Sequence, residues 1–126
     1  MQRPELANLR LHVLHLHKAL IDDARIQIER VDGRLTAHQF WDRLISDPAL
    51  GWLGPLTALI VAMDEWLDDA DATAADAGAL AAEVARLLMP ADDGDPFQRR
   101  YAELLQRDPA IVMAHAAARR ALPRGR

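Results

Sequence analysis

The chain has 126 residues, 51% hydrophobic and 27% charged, with 15 Lys and Arg against 19 Asp and Glu. That length suits one compact domain, the apolar share excludes a disordered chain, and the charged share excludes an integral membrane protein. With no cysteine, the chain excludes disulfides, zinc-thiolate sites, iron-sulfur clusters and thiol catalysis, and a reducing, cytoplasmic setting is expected.

Alanine, leucine and arginine are abundant and no run alternates apolar with polar residues, so the expected class is all-α. Leu6, Leu9, Val13, Leu16, Leu20, Ala24, Ile28 and Val31 recur at three- and four-residue steps, which predicts one long helix over residues 4–31 with this face buried. Leu14 and Ile21 widen the stripe, so the helix should meet more than one partner. Gly33 is placed to end it in a left-handed cap. Thr36 and Gln39 form a capping box for a second helix over 37–46, which should bury Phe40, Trp41, Leu44 and Ile45 in part.

Three Asp-Pro pairs, at Asp47, Asp95 and Asp108, mark helix starts: the carboxylate caps free N–H groups and the proline needs no partner in the first turn. The helix after Pro48 should break or bend at Gly54 and Pro55, then continue to Asp69 with Leu56, Leu59, Ile60, Met63 and Leu67 inward. A capping box of Thr73 and Asp76 opens a helix over 74–89, stopped by Pro90. Residues 91–95 read as an exposed loop, 96–107 and 109–122 as two shorter helices, and 123–126 as a frayed tail. The whole is a single-domain bundle of five or six helices with no internal repeat. The uncharged run 48–63 falls short of the roughly 20 residues of a spanning helix, and charges and histidines interrupt residues 1–18, so neither a membrane span nor a secretory signal is expected.

Charge is segregated along the chain. Residues 1–63 carry seven basic and seven acidic side chains, residues 64–95 carry Arg86 against ten acids, and residues 96–126 carry seven arginines against Glu103 and Asp108. An acidic middle and a basic end either neutralise one another within the fold, the ordinary use of mixed charge, or present opposite patches to partners.

The run Asp47, Pro48, then Trp52-Leu53-Gly54-Pro55-Leu56, then Leu59-Ile60-Val61 and Met63-Asp64-Glu65 resembles the centre of a widespread group of uncharacterised small bacterial proteins. Phe97, Arg99-Arg100-Tyr101, residues 105–109 and Ala114-His115 fit the same pattern. The likeness covers most of residues 9–122 and implies a bacterial origin and a free-standing domain; it transfers no activity, cofactor or site.

Candidate chemistry is confined to a few constellations. Glu5, Asn8, His12, His15, Ala19 and Asp22 form a stripe along the first helix, and two imidazoles one turn apart can hold a divalent metal with Asp64, Glu65 and Asp68 as oxygen donors. The Glu-x-x-His pairs of di-iron bundles are missing, and a solvated polar face is the plainer reading. A single histidine as a haem ligand has no signature here. Asp64 with Asp68 and Glu65 with Asp69 are like-charge pairs near a helix C-terminus, where the helix dipole also disfavours them. Arg99, Arg100, Arg119 or Arg120, a basic partner or a cation should compensate them. Nucleic-acid binding would rest on Arg99, Arg100, Arg107, Arg119 and Arg120 with Phe97 and Tyr101 as stacking surfaces, but the domain is acidic overall, so this is disfavoured. Phosphate-loop, Gly-x-Ser-x-Gly and His-Glu-x-x-His patterns are absent and Ser46 is the only serine, so the reading leans away from an enzyme.

Trp41, Trp52 and Trp66 read first as core anchors and otherwise as interface residues. By elimination the expected role is protein interaction, either self-association as a homodimer or a regulatory contact, through Trp41, Trp52 and Trp66 beside Asp68 and Asp69. The competing expectation is a metal- or small-ligand-binding bundle centred on His12, His15 and the carboxylates at 64–69.

Overall fold

Helix α1, Arg3–Asp32, is the spine of the fold. At its start Glu5 reaches back to accept from the Gln2 N–H at 3.0 Å, and Pro4 occupies the first turn where no N–H partner is needed. Its inner face is Leu6, Leu9, Val13, Leu16, Leu20 and Ala24, the predicted stripe, with Leu14 and Ile21 half-buried beside it. The stripe stops short of the prediction: Ile28 is only half-buried and Val31 is 85% exposed. The reason is length. At about 1.5 Å per residue α1 runs roughly 45 Å. Its main partners, the helices Gly54–Asp68, Ala74–Leu87 and Pro109–Ala121, have 15, 14 and 13 residues and cannot cover it to the end.

Gly33 ends α1 with φ 82° and ψ 177°, and its N–H donates to Glu29 O at 3.0 Å. The positive φ was expected, but the ψ is extended rather than left-handed helical, a combination open essentially to glycine alone. Arg25 and Glu29 brace the turn through Leu35: Arg25 Nη2 donates to Leu35 O at 2.8 Å and the Leu35 N–H donates to Glu29 Oε2 at 2.8 Å. Helix α2, Ala37–Ser46, then opens on the predicted capping box of Thr36 and Gln39.

Pro48–Leu53 forms a 3-10 helix capped by Asp47, which accepts from the Ala49 N–H. Only Leu50 and Leu53 of this turn are buried. Helix α3, Gly54–Asp68, follows at once. Pro55 has no N–H to offer the Gly51 carbonyl four residues back; the Gly54 N–H takes that carbonyl instead, giving the tighter i→i−3 turn. The break predicted at Gly54 and Pro55 is therefore a change of helix type. α3 buries Leu56, Leu59, Ile60, Met63 and also Trp66, while Leu67 is only half-buried.

Helix α4, Ala74–Leu87, has a single cap bond from the Asp76 N–H to Thr73 Oγ1 at 3.2 Å. The expected reciprocal bond is missing; an aspartate is one methylene shorter than the Glu or Gln of a capping box. α4 stops before residue 89, as the Met89 N–H turns to Arg86 O ahead of Pro90. Helix α5, Pro96–Arg107, starts on a complete box of Asp95 and Gln98, and helix α6, Pro109–Ala121, on Asp108. In the intervening loop Asp92 and Asp93 are exposed, but Gly94 and Asp95 are half-buried, drawn in by Arg86.

The computed structural model describes residues 1–123 and is 81% helical, with six α-helices and no strand among them: an all-α bundle with a long first helix. α1 packs against α3, α4 and α6 around a core that includes Leu16, Met63, Leu87, Phe97, Tyr101 and Ile111. Among the described residues every buried side-chain N or O atom has a hydrogen-bond partner, as a close-packed interior requires. Of the expected tail, Pro123 lies outside α6 and is exposed; residues 124–126 lie outside the described residues.

Candidate interaction surface

The residues of the metal reading are not drawn together. His12 is half-buried and His15 exposed, their rings edge-on with centroids 6.1 Å apart. Asp64 is held by Arg10 in an ion pair, while Glu65 and Asp68 are exposed. Among the described residues no group of three His, Asp or Glu side chains is arranged to hold a metal ion.

The acidic end of α3 is compensated, but by α1. Arg3 donates to the carbonyls of Leu67 and Asp69 at 2.6 and 3.1 Å, with its guanidinium 4.8 Å from the Trp66 ring centroid. A cation thus sits where the helix dipole and the carboxylates concentrate negative potential. The arginines expected there act elsewhere: Arg100 pairs with Glu103, and Arg99, Arg119 and Arg120 form no ion pair among the described residues. Arg86 serves Glu83 and Asp95, and Arg107 clasps the buried Asp23 of α1. No ion pair among the described residues joins 64–95 to 96–123, so the two charged blocks do not neutralise one another through direct contacts.

The aromatic residues divide. Trp66 is buried and its Nε1–H donates to Thr73 O at 2.9 Å; Trp52 is half-buried against Phe97, ring centroids 5.8 Å apart. Phe97 stacks on Tyr101, whose hydroxyl lies 2.6 Å from His115 Nδ1. Burial holds the Tyr101 phenol far above its ordinary pKa and the His115 imidazole below its own, with Arg119 also opposing a charge on the imidazole. Both aromatic rings proposed for stacking on bases are therefore inside the protein.

Trp41 is the exception. It is 59% exposed, and Ile45, one turn on along α2, is 69% exposed. The pairs Phe40-Trp41 and Leu44-Ile45 wrap apolar surface around more than one side of a ten-residue helix, and only Phe40 is fully buried. That doubled pattern was the sequence signal of a second face. The orientation of α2 is fixed from beneath and from both ends: Arg25 lies 5.2 Å from the centroid of the inward Phe40 ring, and Arg43 bridges Asp32 at 2.9 Å and Asp47 at 3.2 Å.

Beside Trp41 and Ile45 runs an open groove of about 520 Å³, walled by α1, α2, the 3-10 helix and the start of α3. Its polar contacts form a short relay: His17 Nε2 lies 2.9 Å from Thr57 Oγ1, and Thr57 donates to Leu53 O at 3.2 Å. With the hydroxyl proton committed to Leu53, Thr57 accepts from His17, which puts the proton of the neutral imidazole on Nε2. Burial lowers the pKa of His17 below the ordinary histidine value.

No protein-family model, curated protein or solved structure matches the chain, so the bacterial resemblance read from the sequence gains no support from these comparisons. No single helix among the described residues is long and apolar enough to cross a membrane.

Proposed function

We propose that this chain is a self-associating interaction module whose contact surface is the outer face of α2 and the groove beside it, and whose occupant is a second copy of the same face. The observation that carries this reading is Trp41, a large ring left 59% exposed next to Ile45 at the rim of an apolar groove. Exposed apolar surface that is contiguous rather than scattered marks contact sites, and tryptophan is the residue most enriched among those that dominate interface energies.

A second copy is favoured because knob and hollow lie on one patch: Trp41 and Ile45 project, while the same two residues wall the groove. A two-fold axis through α2 lets each protomer supply the ring that fills the other's groove. The lining contains no acidic or permanently charged side chain, which matches the depletion of charge at interface centres. Of the tryptophans expected to act beside Asp68 and Asp69, Trp66 is buried and Trp52 half-buried against Phe97, which leaves Trp41 on α2 as the ring available for contact.

Sedimentation velocity over a concentration series tests the reading. The native chain is expected to move from one-chain to two-chain mass, and Ile45→Glu, a change at a side chain 69% exposed, to remain at one-chain mass with unchanged helicity. A native chain that stays monomeric throughout, or a dimer indifferent to both Ile45→Glu and Trp41→Ala, overturns it.

A further inference from the structure

Among the described residues His17 is the only ionisable side chain lining the groove. Around it α2 contributes Trp41, Leu44 and Ile45, the 3-10 helix Leu50 and Leu53, and α3 Thr57, none of which titrates or carries charge. The charged groups of these elements lie outside the lining: Lys18 pairs with Asp22 on α1, Arg43 with Asp32 and Asp47, and Asp64 of α3 with Arg10, while Glu65 and Asp68 of α3 and Arg30 of α1 are exposed and His38 and Asp42 face each other on α2. No carboxylate therefore stands ready to receive a proton-bearing imidazole in the groove. The relay from Nε2–H through Thr57 to Leu53 fixes the tautomer, so the incoming proton must go to Nδ1.

Resting on the self-association proposed above, we infer that His17 is a proton switch for that contact: neutral, it is part of an apolar hollow that admits the second copy; protonated, it places an uncompensated cation there and expels it. In the free chain the groove is open and water solvates the cation. In the dimer Trp41 and Ile45 of the second copy displace that water, and a buried charge with no counter-ion is strongly disfavoured. Protonation and association thus oppose each other, and by linkage each must weaken the other to the same degree. Two-fold symmetry places one His17 in each of two grooves, which steepens the response. Partial burial already lowers the His17 pKa in the single chain, and closing the groove over it acts in the same direction.

The test is sedimentation of the full chain at about pH 8 and about pH 5.5, where an ordinary histidine changes charge in between. The native chain is expected to dimerise at the higher pH and to bind its copy severalfold more weakly at the lower, through two linked protonations. His17→Gln keeps a donor toward Thr57 but cannot titrate, so its dimer should persist at both pH values. His17→Lys should be monomeric at both, and His15→Gln should leave the native pH response intact, since His15 is exposed on α1 and lies outside the groove lining. A monomer at the higher pH overturns the self-association itself. A native dimer equally tight at both pH values, or a His17→Gln dimer that still dissociates in acid, overturns the switch while leaving the contact standing.

Discussion

Gly33, Asp23, His17 and His115 hold positions whose chemistry ties them to the fold. Gly33 is the only residue with positive φ among those described, and its φ of 82° with ψ of 177° lies in a region closed to side-chain-bearing residues. Gly33→Ala finds open space for its methyl group, so any cost is backbone strain, about 1–3 kcal/mol in a urea titration. Asp23 is 6% exposed and receives two hydrogen bonds from Arg107, which tie the end of α5 to α1. Removing the guanidinium strands a buried carboxylate: Arg107→Ala should cost about 2 kcal/mol, against under about 0.5 for Lys18→Ala, which breaks only an exposed pair. His17 and His115 both have pKa values lowered from 6.5 by burial, so the folded chain binds protons less readily than the unfolded one. Their contribution is complete above the unfolded value and is lost as the pH falls through it toward the folded values. The urea midpoint should therefore drop between about pH 7.5 and about pH 5.5, and drop less in His115→Gln; an unchanged midpoint contradicts the burial assigned to the pair.

At the scale of elements, local chemistry decides where helices begin and end. Thr36 with Gln39, Asp95 with Gln98, and Asp108 each satisfy free N–H groups from side chains at most three residues away. Such signals are complete within a short window, which is why α2, α5 and α6 were legible in the sequence to within a residue or so. Thr36→Ala should cost about 1 kcal/mol. Because α2 is short and is anchored mainly by Phe40, Leu44 and Arg43, the loss should appear as faster amide exchange in α2 while α1 keeps its protection. Equal acceleration in both helices would show that α2 does not open independently. The 3-10 turn was less legible, because Pro55 acts on a carbonyl behind it and the consequence is a change of hydrogen-bond step, which apolar periodicity does not report.

For the molecule as a whole, the sequence shows which residues are apolar but not which apolar surfaces meet. Val31 continues the α1 stripe in register and is exposed because no apolar side chain of a partner helix covers it, while Trp41 and Ile45 lie on the side of α2 that faces away from the core. The partners of the acidic segment were hidden for the same reason: Arg3 and Arg10 lie far from residues 64–69 in the chain, and only the packing of α1 on α3 brings them together. Among the described residues this packing leaves open a concave, tryptophan-rimmed surface around α2 without carboxylate, lysine or arginine in its lining, the surface proposed to take a second copy. Native mass spectrometry of the untagged chain tests this most directly, since one spectrum gives both the number of subunits and any retained mass. A two-chain species of twice 14.0 kDa with no added mass, reduced to one chain by Trp41→Ser, is the expected result. A one-chain species carrying a metal ion or an organic molecule would contradict it.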